Sequence, residues 1–391
     1  MDILENPHYI FAKYIIIVSG QSQYHPKWLK FLIKFTIFIT LFSCQCGLYA
    51  GMMKAFGNID SMLETIPPIC YGLISITILI NNNLQEQQMK LIFSKIESDW
   101  KTLTSKHEID VLHKYGKKSK FFNTVYMVGF FGHCTIYLFS NSLLVIIGFF
   151  QNSNEHRPIL FPFYFGIDTE KYYHLILLYS HVCAYFGTIL NANGAMIFSI
   201  LIEHACGIFE IIGHKLTTSI MKSGDYSSKQ SFKRNLQQEI ILCVKMHKKV
   251  LLFVNDIEKL FSTAYLLIFG LCIIDLSVTG VQSVMYIHNV KEAARFGFYA
   301  VAQVFHIFLL TLPTQHLMDK SLCISDCMYK YNANWYHLSS ENQKLLLIIM
   351  RKGAEPAKFV VGRIFTLSLQ FFTKVLQTSM SYFTVLMAVR R

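Results

Sequence analysis

Apolar residues run along this chain in seven long stretches separated by polar loops. A membrane-crossing helix needs roughly 20 mostly apolar residues, and residues 28–50, 62–80, 121–150, 172–202, 257–287, 296–318 and 359–389 meet that requirement. Several are longer, which predicts tilt or continuation beyond the bilayer. Pro67 and Pro68 interrupt the start of the second stretch, where neighbouring helices can satisfy the carbonyls that proline leaves free. The expected fold class is all-α, a seven-transmembrane helical protein.

The polar loops fix an orientation, because Lys and Arg are retained on the cytoplasmic side. Eight Lys lie between Lys90 and Lys120, a second basic group runs from Lys215 to Lys249, and a third from Lys320 to Lys358. The intervening loops hold little more than Lys54, Arg157, Lys171, Lys291 and Arg295. The N-terminus is therefore expected in the cytoplasm and the C-terminus outside. A G-protein-coupled receptor would show the opposite bias. The basic loops also carry helical periodicity: Leu91, Ile92, Ile96 and Trp100 fall near one face, as do Ile241, Val244 and Val250. These segments are expected to pack as cytoplasmic continuations of the spans.

Composition agrees with the pattern. The chain is 53% hydrophobic and 15% charged, where soluble domains carry about 25% charged residues, and its mean hydropathy is +0.37. The net charge of +12 could serve nucleic acid or an anionic surface, but its confinement to alternate loops matches a membrane protein and argues against nucleic acid. The ten Cys sit mostly inside apolar runs, which predicts inert buried thiols rather than a disulfide framework. The apolar stretch 14–18 is too short for a signal-peptide core, so the first span is expected to act as its own membrane signal.

No catalytic constellation is visible. The 15 His are scattered, and Glu203-His204 at the end of the fourth span is too small a set for a metal site. No cofactor, metal or enzymatic activity is expected. A membrane enzyme would need several ionisable residues converging inside the spans, and Asp275 alone clearly qualifies.

The C-terminal region is the most specific part. Tyr331, Trp335, Tyr336, Pro356, Ser368, Leu369, Phe372, Ser379, Ser381, Tyr382 and Phe383 resemble the closing signature of insect odorant receptors. The opening Met1-Asp2-Ile3-Leu4, Pro67-Pro68, Asp99-Trp100, Glu170-Lys171-Tyr172, His204 to Gly207, Met246-His247 and Ser277 to Gly280 resemble receptors of ants, bees and wasps. The family often has Lys at the position of Gln377, Gln-Lys-Pro at 354–356, and Gln at the position of Ala388. Gustatory receptors end in Thr-Tyr, five apolar residues and Gln-Phe, whereas Ser381-Tyr382 here leads to Ala388-Val389. The chain is also too short for the long second cytoplasmic loop of the family's co-receptor, so it resembles a ligand-tuned subunit.

The resemblance implies a subunit of an odorant-gated, non-selective cation channel in the plasma membrane of olfactory sensory neurons. It implies a heterotetramer with the odorant receptor co-receptor, small volatile odorants as ligands, and permeant cations in a central pore lined by the last helix. A gustatory-type channel is the nearest alternative. Residues 1–318 would form the peripheral ligand-binding bundle, and 319–391 the cytoplasmic anchor helices and pore helix. Lys374, Thr378, Ser381, Val385, Ala388 and Val389 fall along one helical stripe, suited to a polar path ending in an apolar gate; small residues also mark helix packing, and both readings stand. Tyr331, Trp335 and Tyr336 are candidate subunit anchors or interfacial residues. Depth and ring content single out Tyr71, Tyr137, Asn141, Leu177, His181 and Phe298 as ligand-site candidates. Asp275 lies near mid-membrane with His181 as a candidate partner, either bracing helices or orienting a ligand's polar head.

Overall fold

The computed structural model describes residues 5–22, 24–150, 160–225, 230–330 and 338–390. Helices in chain order are α1 (Ile10–Val18), α2 (Lys27–Lys54), α3 (Ile59–Leu84), α4 (Glu86–Thr102), α5 (Lys106–Phe150), α6 (Tyr173–Asp225), α7 (Gln230–Met285), α8 (Val290–Lys330), α9 (Ser340–Gly353) and α10 (Leu369–Arg390). Six of the expected spans are contained, to within two residues, in α2, α3, α5, α6, α7 and α8, and α5, α6 and α7 run on well past them at the end that carries the basic loops. Five helices among the described residues are long and apolar enough to cross a membrane, in α2, α3, α6, α7 and α8. At about 1.5 Å per residue, the 56 residues of α7 far exceed the ~30 Å hydrocarbon layer. The spans do continue beyond it.

The seventh stretch departs from its expected form. Residues 359–368 are not helical; Val360–Val361 (β1) and Phe365–Thr366 (β2) pair antiparallel, and the helix begins at Leu369. The cause is local. Gly362 and Arg363 both have positive φ, and the N–H of Ile364 donates to the carbonyl of Val361 at 3.0 Å. The turn 361–364 has both central residues left-handed, which matches the twist of a hairpin, and residues 362–364 form a three-residue loop between the paired Val361 and Phe365. The hairpin docks on α7: Ser262 Oγ donates to the Val360 carbonyl at 2.7 Å and accepts from the Gly362 N–H at 2.8 Å.

The largest core lies in the half of the bundle that carries the basic loops. It joins α1, α4, α5, α6, α7, α8, α9 and the hairpin through residues such as Ile96, Leu112, Phe198, Phe209, Ile257 and Phe359. The packed face of α4 is Ile92 and Ile96, while Leu91, expected beside them, is exposed. On α7 the buried stripe is Ile240, Cys243, His247 and Val250, one residue offset from Ile241 and Val244. That offset keeps Val250 inside and turns Ile241 outward.

Ion pairs tie the extensions together. Asp99 of α4 meets His204 of α6 at 3.2 Å and Lys249 of α7 at 2.5 Å. Burial pushes its carboxyl upward, but hydrogen bonds from His204 and Lys249 outweigh this and hold it below the usual range. Glu210 of α6 meets Lys114 at 2.6 Å, Lys320 at 3.0 Å and the Tyr115 hydroxyl at 2.6 Å. Glu203, Cys206 and His316 bring one ligating atom each within 4.8 Å. Lys118 stands beside them, 3.5 Å from Glu203, and supplies the local positive charge.

Candidate functional site

At the opposite end of the bundle, α3, α5, α6, α7 and α8 diverge around a cavity of about 450 Å³. Helical spacing puts the lining residues on inward faces: Pro67, Pro68 and Tyr71 from α3; Phe130, His133, Cys134 and Tyr137 from α5; Ala184, Thr188 and Asn191 from α6. Cys272 and Asp275 come from α7, and Phe296, Tyr299, Gln303 and His306 from α8. Leu160, Phe161 and Pro162 cover one side.

Two glycines permit this arrangement. A Cβ at Gly51 would lie 2.1 Å from the Pro162 carbonyl oxygen, so only glycine lets the covering segment rest on α2. A Cβ at Gly187 would meet the Tyr71 ring at 2.5 Å. With that space open, the Tyr71 hydroxyl lies 2.8 Å from Thr188 Oγ1 and 3.3 Å from the Ala184 carbonyl oxygen.

The wall is largely aromatic. His133 lies 5.9 Å from Tyr299, and Tyr137 lies 6.1 Å from Tyr299, measured between ring centroids. The Arg295 guanidinium sits 4.7 Å from the Phe296 ring and pairs with Glu292 at 2.8 Å. Tyr286 donates to Glu64 across the mouth. Such a cavity suits a small, mostly apolar guest oriented by a few polar groups.

Three residues singled out from the sequence, Tyr71, Tyr137 and Asp275, stand on this wall. Leu177 packs outside it with Leu138, Leu160 and Ala184. The His181 ring nitrogen Nδ1 lies 2.7 Å from the Leu177 carbonyl oxygen, one turn back. Phe298 touches His133, with ring centroids 4.7 Å apart, but is itself exposed. The side chain of Asn141, and the whole of Tyr331, Trp335 and Tyr336, lie outside the described residues. The partner of Asp275 is Tyr299, whose hydroxyl donates to Oδ2 at 3.2 Å, in place of His181. Sequence reasoning missed Phe130, His133, Thr188, Tyr299, Gln303 and His306. One signal was available: His133 and Phe130 lie one and two helical turns before Tyr137 on the same face.

On α10, the faces separate cleanly. Phe371, Val375 and Ser379 are buried, against α7 and α8. Lys374, Thr378, Ser381, Val385, Ala388 and Val389 are all exposed. Ser277 Oγ of α7 reaches the Ser379 carbonyl at 3.0 Å, and a Cβ at Gly280 would meet the Phe383 ring at 3.2 Å.

The arrangement is that of a multi-span helical membrane protein with a largely aromatic cavity between its helices. A family model described as 7tm Odorant receptor matches residues 58–380, and the chain belongs to that family. It is 26% identical over 173 residues to odorant receptor Or2 of Anopheles gambiae, covering 43% of this chain and 43% of that receptor. It is 20% identical over 390 residues to putative odorant receptor 85d of Drosophila melanogaster, covering 96% of this chain and 92% of that one. The match thus spans less than half of the Anopheles receptor but nearly all of the Drosophila one. Among solved structures, the insect olfactory receptor OR5 from Machilis hrabei in complex with eugenol is similar with a TM-score of 0.82 at 13% identity, over 99% of this chain and 98% of that chain. A second structure of that receptor gives 0.78 at 14% identity over 100% of both chains. The all-α, seven-span fold expected from hydropathy is the fold found.

Proposed function

We propose that this chain is the ligand-tuned subunit of an odorant-gated, non-selective cation channel, and that the aromatic cavity is its odorant site. The observation that carries this reading is the placement of α7. One face of that helix contributes Cys272 and Asp275 to the cavity, and the adjacent turns hold α10 through Ser277 and Gly280. A guest that displaces α7 therefore acts directly on the helix whose exposed stripe is suited to line a pore. Arg390 near the end of α10 also pairs with Asp60 at the start of α3, at 2.8 Å, linking the last helix to a second cavity helix.

In this reading the pore is shared with the co-receptor in a heterotetramer of the sensory-neuron plasma membrane. The N-terminus is cytoplasmic, and the C-terminus is outside. An odorant panel applied to cells expressing the chain with and without the co-receptor tests the assignment. Odorant-evoked cation current is expected only from the pair, and it should persist when G-protein signalling is blocked. Robust current from the chain alone would refute the co-receptor requirement. Loss of all current under G-protein block would refute the channel assignment. A tag after Arg391 should label on intact cells, and a tag before Met1 should not.

A further inference from the structure

The polar atoms facing the cavity are unevenly matched, and the hydrogen-bond geometry says which are left over. Thr279 has one hydroxyl hydrogen. Its Oγ1 lies 2.7 Å from the Asp275 main-chain carbonyl and 3.5 Å from Asp275 Oδ1. The shorter contact takes the hydrogen, so Oδ1 receives little from Thr279. With its hydrogen committed, Thr279 Oγ1 can only accept from Gln303, whose Nε2 lies 3.4 Å away. That contact fixes the Gln303 amide, and its Oε1 is left buried without a partner.

Asp275 is 3% exposed; its Oδ2 accepts from Tyr299, and Thr279 and Gln303 stand beside the same carboxyl. Gln303 Oε1 therefore presents an unmatched acceptor, next to Asp275, at one end of an otherwise ring-lined space. Elsewhere on the wall Tyr71 is engaged with Thr188, His306 with Tyr126 at 2.6 Å, and the Arg295 Nη2 with Glu292; Arg295 Nε and His133 Nδ1 are also buried without a partner, Arg295 about two helical turns before Gln303 on α8. Buried acceptors without donors are costly, and a guest that supplies the donor removes the cost.

We propose that the cavity selects small, mostly apolar molecules that carry one hydrogen-bond-donating head, a hydroxyl or a primary amine. Molecules of equal size whose only polar atom accepts, such as ethers, are disfavoured. The donor head sits between Asp275 and Gln303, and the hydrocarbon part lies among the rings. This rests on the cavity being the odorant site. A site built to hydrogen-bond a donor discriminates strongly against the analogue lacking it, so a preference of about tenfold or more is expected for a single bond.

The test is a panel of carbon skeletons, linear and phenyl-substituted, each presented as alcohol, primary amine and methyl ether to cells expressing this chain with the co-receptor. Alcohols or amines should evoke half-maximal current at concentrations at least about tenfold below their ethers. The amine arm separates a charged from a neutral head, and preference for either retains the donor requirement. Gln303→Leu and Asp275→Leu should each narrow the gap by weakening the donor series more than the ether series. Surface labelling reports folding, and Gln303→Leu serves if the Asp275 variant fails to reach the surface. Ethers as potent as their alcohols would overturn the donor preference while leaving the odorant site in place. Responses to the panel that ignore Tyr71→Ala and Tyr137→Ala would instead overturn the site, and the preference with it.

Discussion

Gln282 of α7 donates its side-chain amide to the main-chain carbonyl of Leu63 on α3, at 2.8 Å. That carbonyl is the acceptor that residue 67 would normally satisfy in a helix, and residue 67 is Pro. A buried glutamine from a neighbouring helix thus replaces the missing N–H where the second span begins, one turn before the cavity residues Pro67 and Pro68. Gln282→Leu is expected to lower stability by about 1–3 kcal/mol, the cost of an unsatisfied buried carbonyl. Adding Pro67→Ala should restore much of the loss, because alanine at that position brings back the backbone N–H. Thermal unfolding of the two single variants and the double variant measures the coupling, and strictly additive effects would contradict it.

A second relationship concerns charge. Glu203 is 0% exposed, with Lys118 at 3.5 Å and His316 at 3.2 Å. Neither carboxylate oxygen has a hydrogen bond of good geometry, so nearby positive charge supplies its compensation. Lys118→Met leaves that charge uncompensated. The expected loss is up to about 3 kcal/mol, at the low end of the range for a broken buried pair because Lys118 is itself partly exposed. Lys118→Met with Glu203→Gln should recover most of it. A double variant no more stable than Lys118→Met alone would mean that Glu203 is not held by this pair.

Glu210 gives a pH dependence. Burial pushes its carboxyl up, but hydrogen bonds from Lys114, Tyr115 and Lys320 prevail and bring it from 4.5 to about 2. The folded protein therefore binds fewer protons at this site than the unfolded chain below 4.5. Its contribution is complete above that value and is lost as pH falls through about 2. Unfolding midpoints of the protein in detergent, followed down through this window, should fall less steeply for Glu210→Gln than for the parent. Equal slopes would show that the triad of donors adds no linked stability.

Much of the fold was legible because it depends on one-dimensional quantities. Apolar run length gives the spans, and Lys placement marks the end of the bundle where Asp99, Glu203 and Glu210 gather their partners. The hairpin was not legible as a span interruption because Phe359, Val360 and Val361 are as apolar as any helix. What breaks the pattern is Gly362 and Arg363 adopting left-handed backbone. The cavity was legible only in part. Tyr71, Tyr137 and Asp275 are found by type and depth, but whether Leu177, His181 or Phe298 faces inward depends on the rotation of each helix about its axis. Packing sets that rotation, through close approaches such as Gly187 on the Tyr71 ring. Asp99-Trp100 and His204, read as family signature, take their meaning from the three-helix junction with Lys249.

The last expectation concerns the gate. Val385 and Val389 are 54% and 72% exposed, one turn apart, on the stripe that also holds Lys374, Thr378 and Ser381. The opposite face of α10 is occupied by α7 and α8, so this stripe is available to lipid, another subunit or a pore. Polar groups below two valines favour the pore, because lipid contact would select against Lys374, Thr378 and Ser381, whereas a dewetting collar needs apolar side chains at its narrowest turn. Ala388 adds no polar group there. Val385→Ser should wet the collar and raise current in the absence of odorant, and Val385→Ile should keep it dry at parental levels. Whole-cell recordings with the co-receptor present distinguish the cases, with surface labelling as the control for expression. If Val385→Ser and Val389→Ser both reach the surface with parental basal current and ion selectivity, the stripe is a packing or lipid face and the gate lies elsewhere.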